Sequence, residues 1–299
     1  MKPVLYALAL MLPVALHAEE IEVATAKGPV SVEQSPSNIV VLDLAAIDTL
    51  SALGVAVAGA PEIAPPAYLT DIVGNATKVG TLFEPDFETL ASMGPDLIIA
   101  GGRSQTQVGA LSKVAPTLDM TIDAGNLIAQ SKERIDSYGK LFEKEAEATE
   151  LQASLDEALA TAQAAVKDKG NALVVLTNGG KMSAYGAGSR FGWLHSELGL
   201  PEAHPGIEHK SQHGEAISFE FIADTNPDWL LVIDRGAAVG AEGQAAAATL
   251  DNPLVAGTNA AKNDQIVYLD AGSMYLVGGG YQSLTGLLVQ ITEAFEGTD

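Results

Sequence analysis

The chain of 299 residues carries a formal charge of −22, is 47% hydrophobic and has no cysteine. So acidic a balance excludes nucleic acid and anionic membrane as partners, since both demand a basic surface. The lack of cysteine excludes disulfides, thiolate metal sites, cysteine nucleophiles and a lipid-anchoring thiol.

In chain order, Lys2 is followed by an apolar run from Pro3 to Leu16 and the small residue Ala18, the pattern of a cleavable signal peptide over residues 1–18. The run is shorter than the roughly 20 apolar residues that span a bilayer. Removal leaves 281 residues (299 minus 18), more than one core comfortably holds and suited to two units. A freely diffusing monomer of the periplasm is expected. The first unit, residues 19–126, opens on the strand-like Glu19 to Ala24 and continues with apolar strands at Ile39–Leu42, Val55–Gly59 and Leu97–Ala100. Uninterrupted apolar strands belong to parallel sheets covered by helices on both faces.

An internal repeat ties this unit to a second one, residues 170–299. With an offset of 132 and no gap, Phe87 aligns with Phe219, Glu88 with Glu220, Ala91 with Ala223, Pro95-Asp96 with Pro227-Asp228, and Arg103 with Arg235. Each copy reads as a short helix, a Pro-Asp turn that stops it and a continuous apolar strand. Further strands are expected at Ala172–Leu176, Trp229–Ile233 and Gln265–Leu269. Between the units, residues 127–169 are rich in Ala, Glu, Leu, Lys and Gln, with Gly139 the only glycine and no proline. From Lys144 onward the apolar spacing predicts one long amphipathic helix, a stiff connector.

Four arginines stand against twelve lysines, and Arg103, Arg190 and Arg235 lie beside glycine-containing loops after apolar runs, whereas Arg134 does not. The carboxyl ends of strands in open α/β sheets are where ligands bind, and a guanidinium offers a fixed fork to oxyanions. Ser189 is expected to cap a helix over Phe191–Leu198 and so to aim Arg190 into the crevice. Four histidines survive cleavage: His195, His204, His209 and His213. Three of them within ten residues raise a zinc or manganese site as a competitor. The run from Asp270 to Gly280 is a glycine-rich loop with neither GxGxxG nor a Walker lysine, which speaks against a nucleotide. Tyr275 on that loop either packs as an aromatic or, deprotonated, serves a hard ion such as Fe(III); spacing alone favours packing. No G-x-S-x-G elbow or marked catalytic set is present, so an enzyme is not expected, although a secreted α/β enzyme stands as the alternative of a different class.

Taken together, Pro-Ser-Asn-Ile-Val-Val-Leu-Asp at 36–43, the two Pro-Asp repeats, the central helix, Gly188-Ser189-Arg190-Phe191-Gly192, His213-Gly214 with Ser218-Phe219-Glu220, and Met274-Tyr275-Leu276 resemble the periplasmic ferric-siderophore-binding proteins of ABC importers, of the helix-hinged class III type. The resemblance runs from about Ile21 to Phe295. It implies an α/β fold of two lobes with small parallel sheets joined by one long α-helix, the ligand held between them. It further implies an arginine triad at Arg103, Arg190 and Arg235 for a catecholate siderophore, His213 and Tyr275 as ligands completing the iron of a tetradentate complex, and Glu88 and Glu220 as the pair that docks on the membrane permease. No intrinsic cofactor is implied, the ligand being the Fe(III)-siderophore complex. A haem, cobalamin or divalent-metal binder of the same fold is the competing reading.

Overall fold

The computed structural model describes residues 19–207 and 213–297. The expected signal peptide lies outside them, as does His209. Strands β1 (Glu20–Thr25) and β2 (Gly28–Glu33) form an antiparallel hairpin that precedes the first sheet. That sheet holds β3 (Ile39–Leu42), β4 (Gly59–Ala60), β5 (Thr77–Lys78), β6 (Leu97–Ala100) and β7 (Thr117–Asp119), in the order β5-β4-β3-β6-β7 and wholly parallel. The second sheet holds β8 (Ala172–Asn178), β9 (Lys181–Tyr185), β10 (Glu215–Ile217), β11 (Trp229–Asp234) and β12 (Ile266–Tyr268), in the order β10-β9-β8-β11-β12. Its β8, β11 and β12 run parallel, and an antiparallel pair, β9 and β10, extends one edge. The strand expected at Val55–Gly59 shrinks to Gly59–Ala60, because residues 55–58 carry the chain from the end of the helix Leu44–Ala52 back to the sheet.

The repeat is a repeat of structure. The helices Phe87–Met93 and Phe219–Thr225 are equal in length, begin on side-chain caps from Asp86 and Ser218, and end on left-handed residues, Gly94 (φ 56°) and Asn226 (φ 45°). All these positions keep the offset of 132. A left-handed residue ends a helix without steric cost at glycine and at small cost at asparagine, which explains the two residue types.

The linking segment forms two helices, Leu127–Leu141 and the long helix Glu145–Val166, separated by a turn in which Glu143 has φ 53°. The lone glycine has a packing reason: a Cβ on Gly139 would meet the Cβ of Ala148 at 2.5 Å, so the close approach of the two helices at this point requires glycine. Arg134, on the first of them, is buried and donates to the carbonyls of Ala24, Met120 and Thr121. It is a brace inside the first lobe.

Strand residues alternate between two kinds of core. Ile39, Val41, Leu97 and Ile99 of the first lobe and Ala172, Val174, Trp229 and Leu231 of the second belong to one contiguous core that runs through the long helix and the C-terminal helix Tyr281–Glu296. Their neighbours Val40, Leu42, Ile98 and Ala100, and on the other side Leu173, Val175, Leu230 and Val232, fill a separate outer core in each lobe. Strands buried on both faces explain the unbroken apolar runs. Trp229 stacks on Phe295, ring centroids 3.6 Å apart, fastening the C-terminal helix to the second sheet. The other end of that helix is fastened to the first lobe: Asp48, fully buried, accepts from the backbone N–H groups of Gln282 (2.6 Å) and Ser283 (2.9 Å) and from the Tyr68 hydroxyl (2.8 Å). Gly280 permits the approach, since a Cβ there would meet the Asp48 carboxyl carbon at 2.6 Å. Among the described residues no helix is long and apolar enough to cross a membrane.

Candidate ligand-binding site

Four loop positions at the facing ends of the two sheets converge. Arg103 follows β6 in the turn Gly102–Gln107, which Ser104 pins to β3 by donating to the Leu42 carbonyl (2.7 Å). Gly101 opens the turn because Asp43 lies where its side chain would be, 2.3 Å from a built Cβ. Arg235 begins the helix Arg235–Ala238 directly after β11, capped by Asp234, which accepts from Ala237 N–H at 3.0 Å. Tyr275 ends the helix Ala271–Tyr275 after β12, capped by Asp270 through Ser273 N–H at 2.7 Å. The glycine-rich stretch is therefore helical where it carries the tyrosine, because Asp270 supplies a cap that glycine counting overlooks.

Arg190 sits in a tight turn over residues 186–192. Here the expectation for Ser189 fails. Its hydroxyl donates to the Gly186 carbonyl at 2.6 Å and caps no helix, and the helix itself covers only Trp193–Ser196. The nearer carbonyl wins, and Gly192 lets the turn close, since a Cβ there would lie 2.0 Å from the Ala187 oxygen.

The three guanidinium groups surround Tyr275. Arg103 donates to its carbonyl oxygen at 2.8 Å, Arg190 donates to the same oxygen, and Arg235 donates from Nε to the phenol oxygen at 3.0 Å. The guanidinium carbons stand 4.7, 4.4 and 5.7 Å from the centroid of the tyrosine ring, within cation–π range. All four side chains are half-buried. Among the described residues none of the three arginines pairs with a carboxylate, in a chain of charge −22. Burial, followed by repulsion from Arg103, holds Arg190 below the usual arginine range. Burial pushes the Tyr275 phenol up, but the Arg235 hydrogen bond and the Arg103 charge outweigh it, so the phenol ionises below its ordinary value. The arrangement is an uncompensated cationic cluster around an acidified phenol, suited to oxyanions and to a hard metal ion carried by them.

The pattern described as periplasmic binding protein matches residues 39–272. The chain belongs to the periplasmic binding protein family. Among relatives of this periplasmic binding protein, the petrobactin-binding protein YclQ of Bacillus subtilis is 37% identical over 90% of this chain and 86% of its own length. The crystal structure of YclQ superposes with a TM-score of 0.88 at 34% identity, covering 93% of this chain and 99% of that one. The ferric-anguibactin-binding protein FatB of Vibrio anguillarum is 31% identical over 90% of this chain and 85% of its own. The periplasmic catecholate-siderophore-binding protein VctP of Vibrio cholerae matches with a TM-score of 0.86 at 30% identity, over 91% and 99% of the two chains.

Within this binding protein, His213 stands exposed in a turn immediately before Gly214. Gly214 has φ 71° and passes so close to Tyr185 that a Cβ would meet the ring at 2.8 Å. Tyr185 packs on Phe191 (centroids 4.7 Å), which in turn lies under the Arg190 guanidinium at 5.2 Å, so His213 borders the wall behind Arg190. The other described histidines are engaged elsewhere: His195 is buried with Nδ1 2.9 Å from the Leu200 carbonyl, and His204 meets Phe221 edge-on at 5.0 Å. Among the described residues, which leave out His209, no cluster of three or more His, Asp or Glu side chains could hold a metal. Glu88 and Glu220 lie exposed in the first turns of the repeated helices. Sequence reasoning missed Asn178, which accepts from Arg235 Nη1 at 3.2 Å, and the Tyr185–Phe191 wall. A signal for Asn178 exists, a polar residue closing the apolar run of β8.

Proposed function

We propose that this protein captures an anionic ferric siderophore, of the tetradentate catecholate type, and delivers it to an inner-membrane ABC permease after export. The carrying observation is the three guanidinium groups, none with a carboxylate partner among the described residues, around one phenol. A ferric complex of two catecholates is anionic, and its metal-bound oxygens accept from guanidinium donors, strongly so in a half-buried cleft where water screens less. The carbonyl and phenol oxygens of Tyr275 receive hydrogen bonds from these guanidinium groups. Ligand oxygens would take them over, so the arginines never lose their partners and the exchange costs little desolvation. A four-coordinate chelator leaves two iron positions open, and the Tyr275 phenolate with the His213 imidazole would fill them. The depressed ionisation of the Tyr275 phenol supports that role, since only the phenolate is a strong ligand for Fe(III).

Relatives named for petrobactin, ferric anguibactin and catecholate siderophores support the ligand class. Delivery is assigned to Glu88 and Glu220, one on each lobe, at equivalent exposed positions of the repeat. Phe83 and Phe87, 58% and 39% exposed, beside Glu88 provide the apolar surface that a docking face needs. The two lobes are assigned to residues 19–126 and 170–299, with residues 127–169 between them.

Titration of intrinsic fluorescence with a ferric bis-catecholate tests the reading. Tight quenching is expected in wild type, and unchanged affinity in the Arg103→Ala, Arg190→Ala, Arg235→Ala triple variant would refute it.

A further inference from the structure

The helices that present Arg235 and Tyr275 have a second end. Arg235–Ala238 and Ala271–Tyr275 lie against each other, and from their far ends, residues 237–240 and 270–273, a cleft of about 590 Å³ opens toward the first lobe. Its walls include Pro66 and Tyr68 from the first lobe, and Ala238, Asp270, Gly286 and Gln290 from the second. With a rise of about 1.5 Å per residue, Ala238 and Gly272 stand only about 5 Å along their helices from Arg235 and Tyr275. The cleft therefore neighbours the arginine cluster, yet its charge is opposite. Among the described residues that line it there is no lysine or arginine, and Asp270 carries the one carboxylate.

Gly286 is the informative wall residue. It sits inside the C-terminal helix Tyr281–Glu296, where glycine costs about 1 kcal/mol relative to alanine. No neighbour demands it, since a Cβ at Gly286 would meet nothing within 4 Å. A larger side chain there would point into the cleft. The missing side chain keeps the volume open.

We propose that this cleft is a second subsite, taking an amine-bearing aliphatic arm of the same ligand whose ferric anionic head occupies the arginine cluster. The proposal rests on the siderophore reading above. Pro66, Ala238 and the Tyr68 ring cover methylenes, and the Asp270 carboxylate receives an ammonium at the end, beside Gln290, whose side chain is held by the Asp270 N–H and the Tyr268 carbonyl. Opposite charges in adjacent compartments fix the direction in which a dipolar ligand lies, which the arginines alone do not.

The test uses the mature protein and three synthetic probes: the ferric complex of N,N′-bis(2,3-dihydroxybenzoyl)lysine amide, the same complex with a butyl arm on the amide, and the same with a 4-aminobutyl arm. Wild type is expected to bind the aminobutyl probe about fivefold more tightly than the parent, the scale of a partly exposed ion pair. Gly286→Leu should abolish this gain and leave parent affinity unchanged. Asp270→Asn, which keeps an N-cap oxygen, should erase the preference of aminobutyl over butyl and provides the test if Gly286→Leu does not fold. Equal affinity of wild type for all three probes, or a gain that survives both substitutions, overturns the arm subsite alone. Failure of wild type to bind even the parent probe overturns the siderophore reading and the subsite with it.

Discussion

Asp48 offers a prediction whose size can be worked out. Its carboxyl is fully buried against the first turn of the C-terminal helix, and burial pushes its pKa up from 3.8 to about 7 against the hydrogen bonds from Tyr68, Gln282 and Ser283. Between these two values the folded protein holds a proton that the unfolded chain has released. Stability from this group is therefore fully present below the unfolded value and is lost as pH rises through about 7. A full proton of difference is worth about 1.4 kcal/mol per pH unit, and integration from pH 5 to pH 7 gives about 2 kcal/mol. The groups facing Asp48 leave the direction unchanged: the Tyr68 phenol is pushed higher still, chiefly by burial, and Asp270 beside it adds negative charge. Urea unfolding of wild type and of Asp48→Asn at pH 5 and pH 7, without ligand, isolates the term because asparagine does not titrate. Wild type should lose about 2 kcal/mol more than the variant over this interval. Parallel pH dependence, or a steeper loss in the variant, would refute the assignment of a protonated Asp48.

The remaining predictions concern the site. Arg235→Ala removes the donor to the Tyr275 phenol and the contact with Asn178; affinity for a ferric bis-catecholate should fall about 10- to 100-fold, as expected for a lost charge-assisted hydrogen bond, measured by fluorescence titration. The same substitution should raise the ionisation pH of Tyr275, read as the tyrosinate band that Tyr275→Phe removes, because the Arg235 hydrogen bond is the largest of the influences lowering it. Tyr275→Phe should also change the visible charge-transfer band of the bound ferric complex, and an identical spectrum would take the phenol out of the iron shell. Gly192→Ala forces a methyl into the Ala187 carbonyl and should weaken ligand binding by displacing Arg190, with a lowered melting temperature as the accompanying sign of the backbone clash. Glu88→Arg and Glu220→Arg should abolish uptake in cells while leaving affinity in solution unchanged.

Much of the architecture was legible because its signals are local. The 132-residue repeat carries its caps and stop signals within each copy, so the helices at Phe87 and Phe219 and the strands after them fall where the residues place them. The four residues that meet in the cleft were legible as loop positions, but their mutual grip was not. That Tyr275 offers its carbonyl to two arginines depends on the short helix Ala271–Tyr275 and on two turns remote in sequence. The Phe191–Leu198 helix and the Ser189 cap were misread because the rival, the Gly186 carbonyl, enters only through the folded turn. The antiparallel β9 and β10 add an edge that no period in the sequence announced, and Asp48 reads in isolation as one more acid on a helix.

The contiguous core also governs how protection spreads. Ile39, Leu231 and Phe295 share one apolar cluster although they come from the first lobe, the second lobe and the C-terminal helix. Amide hydrogens beneath all three therefore exchange by the same global opening. A ligand seated between the lobes at a thousandfold excess over its dissociation constant should slow that exchange everywhere at once, by about 4 kcal/mol in opening free energy.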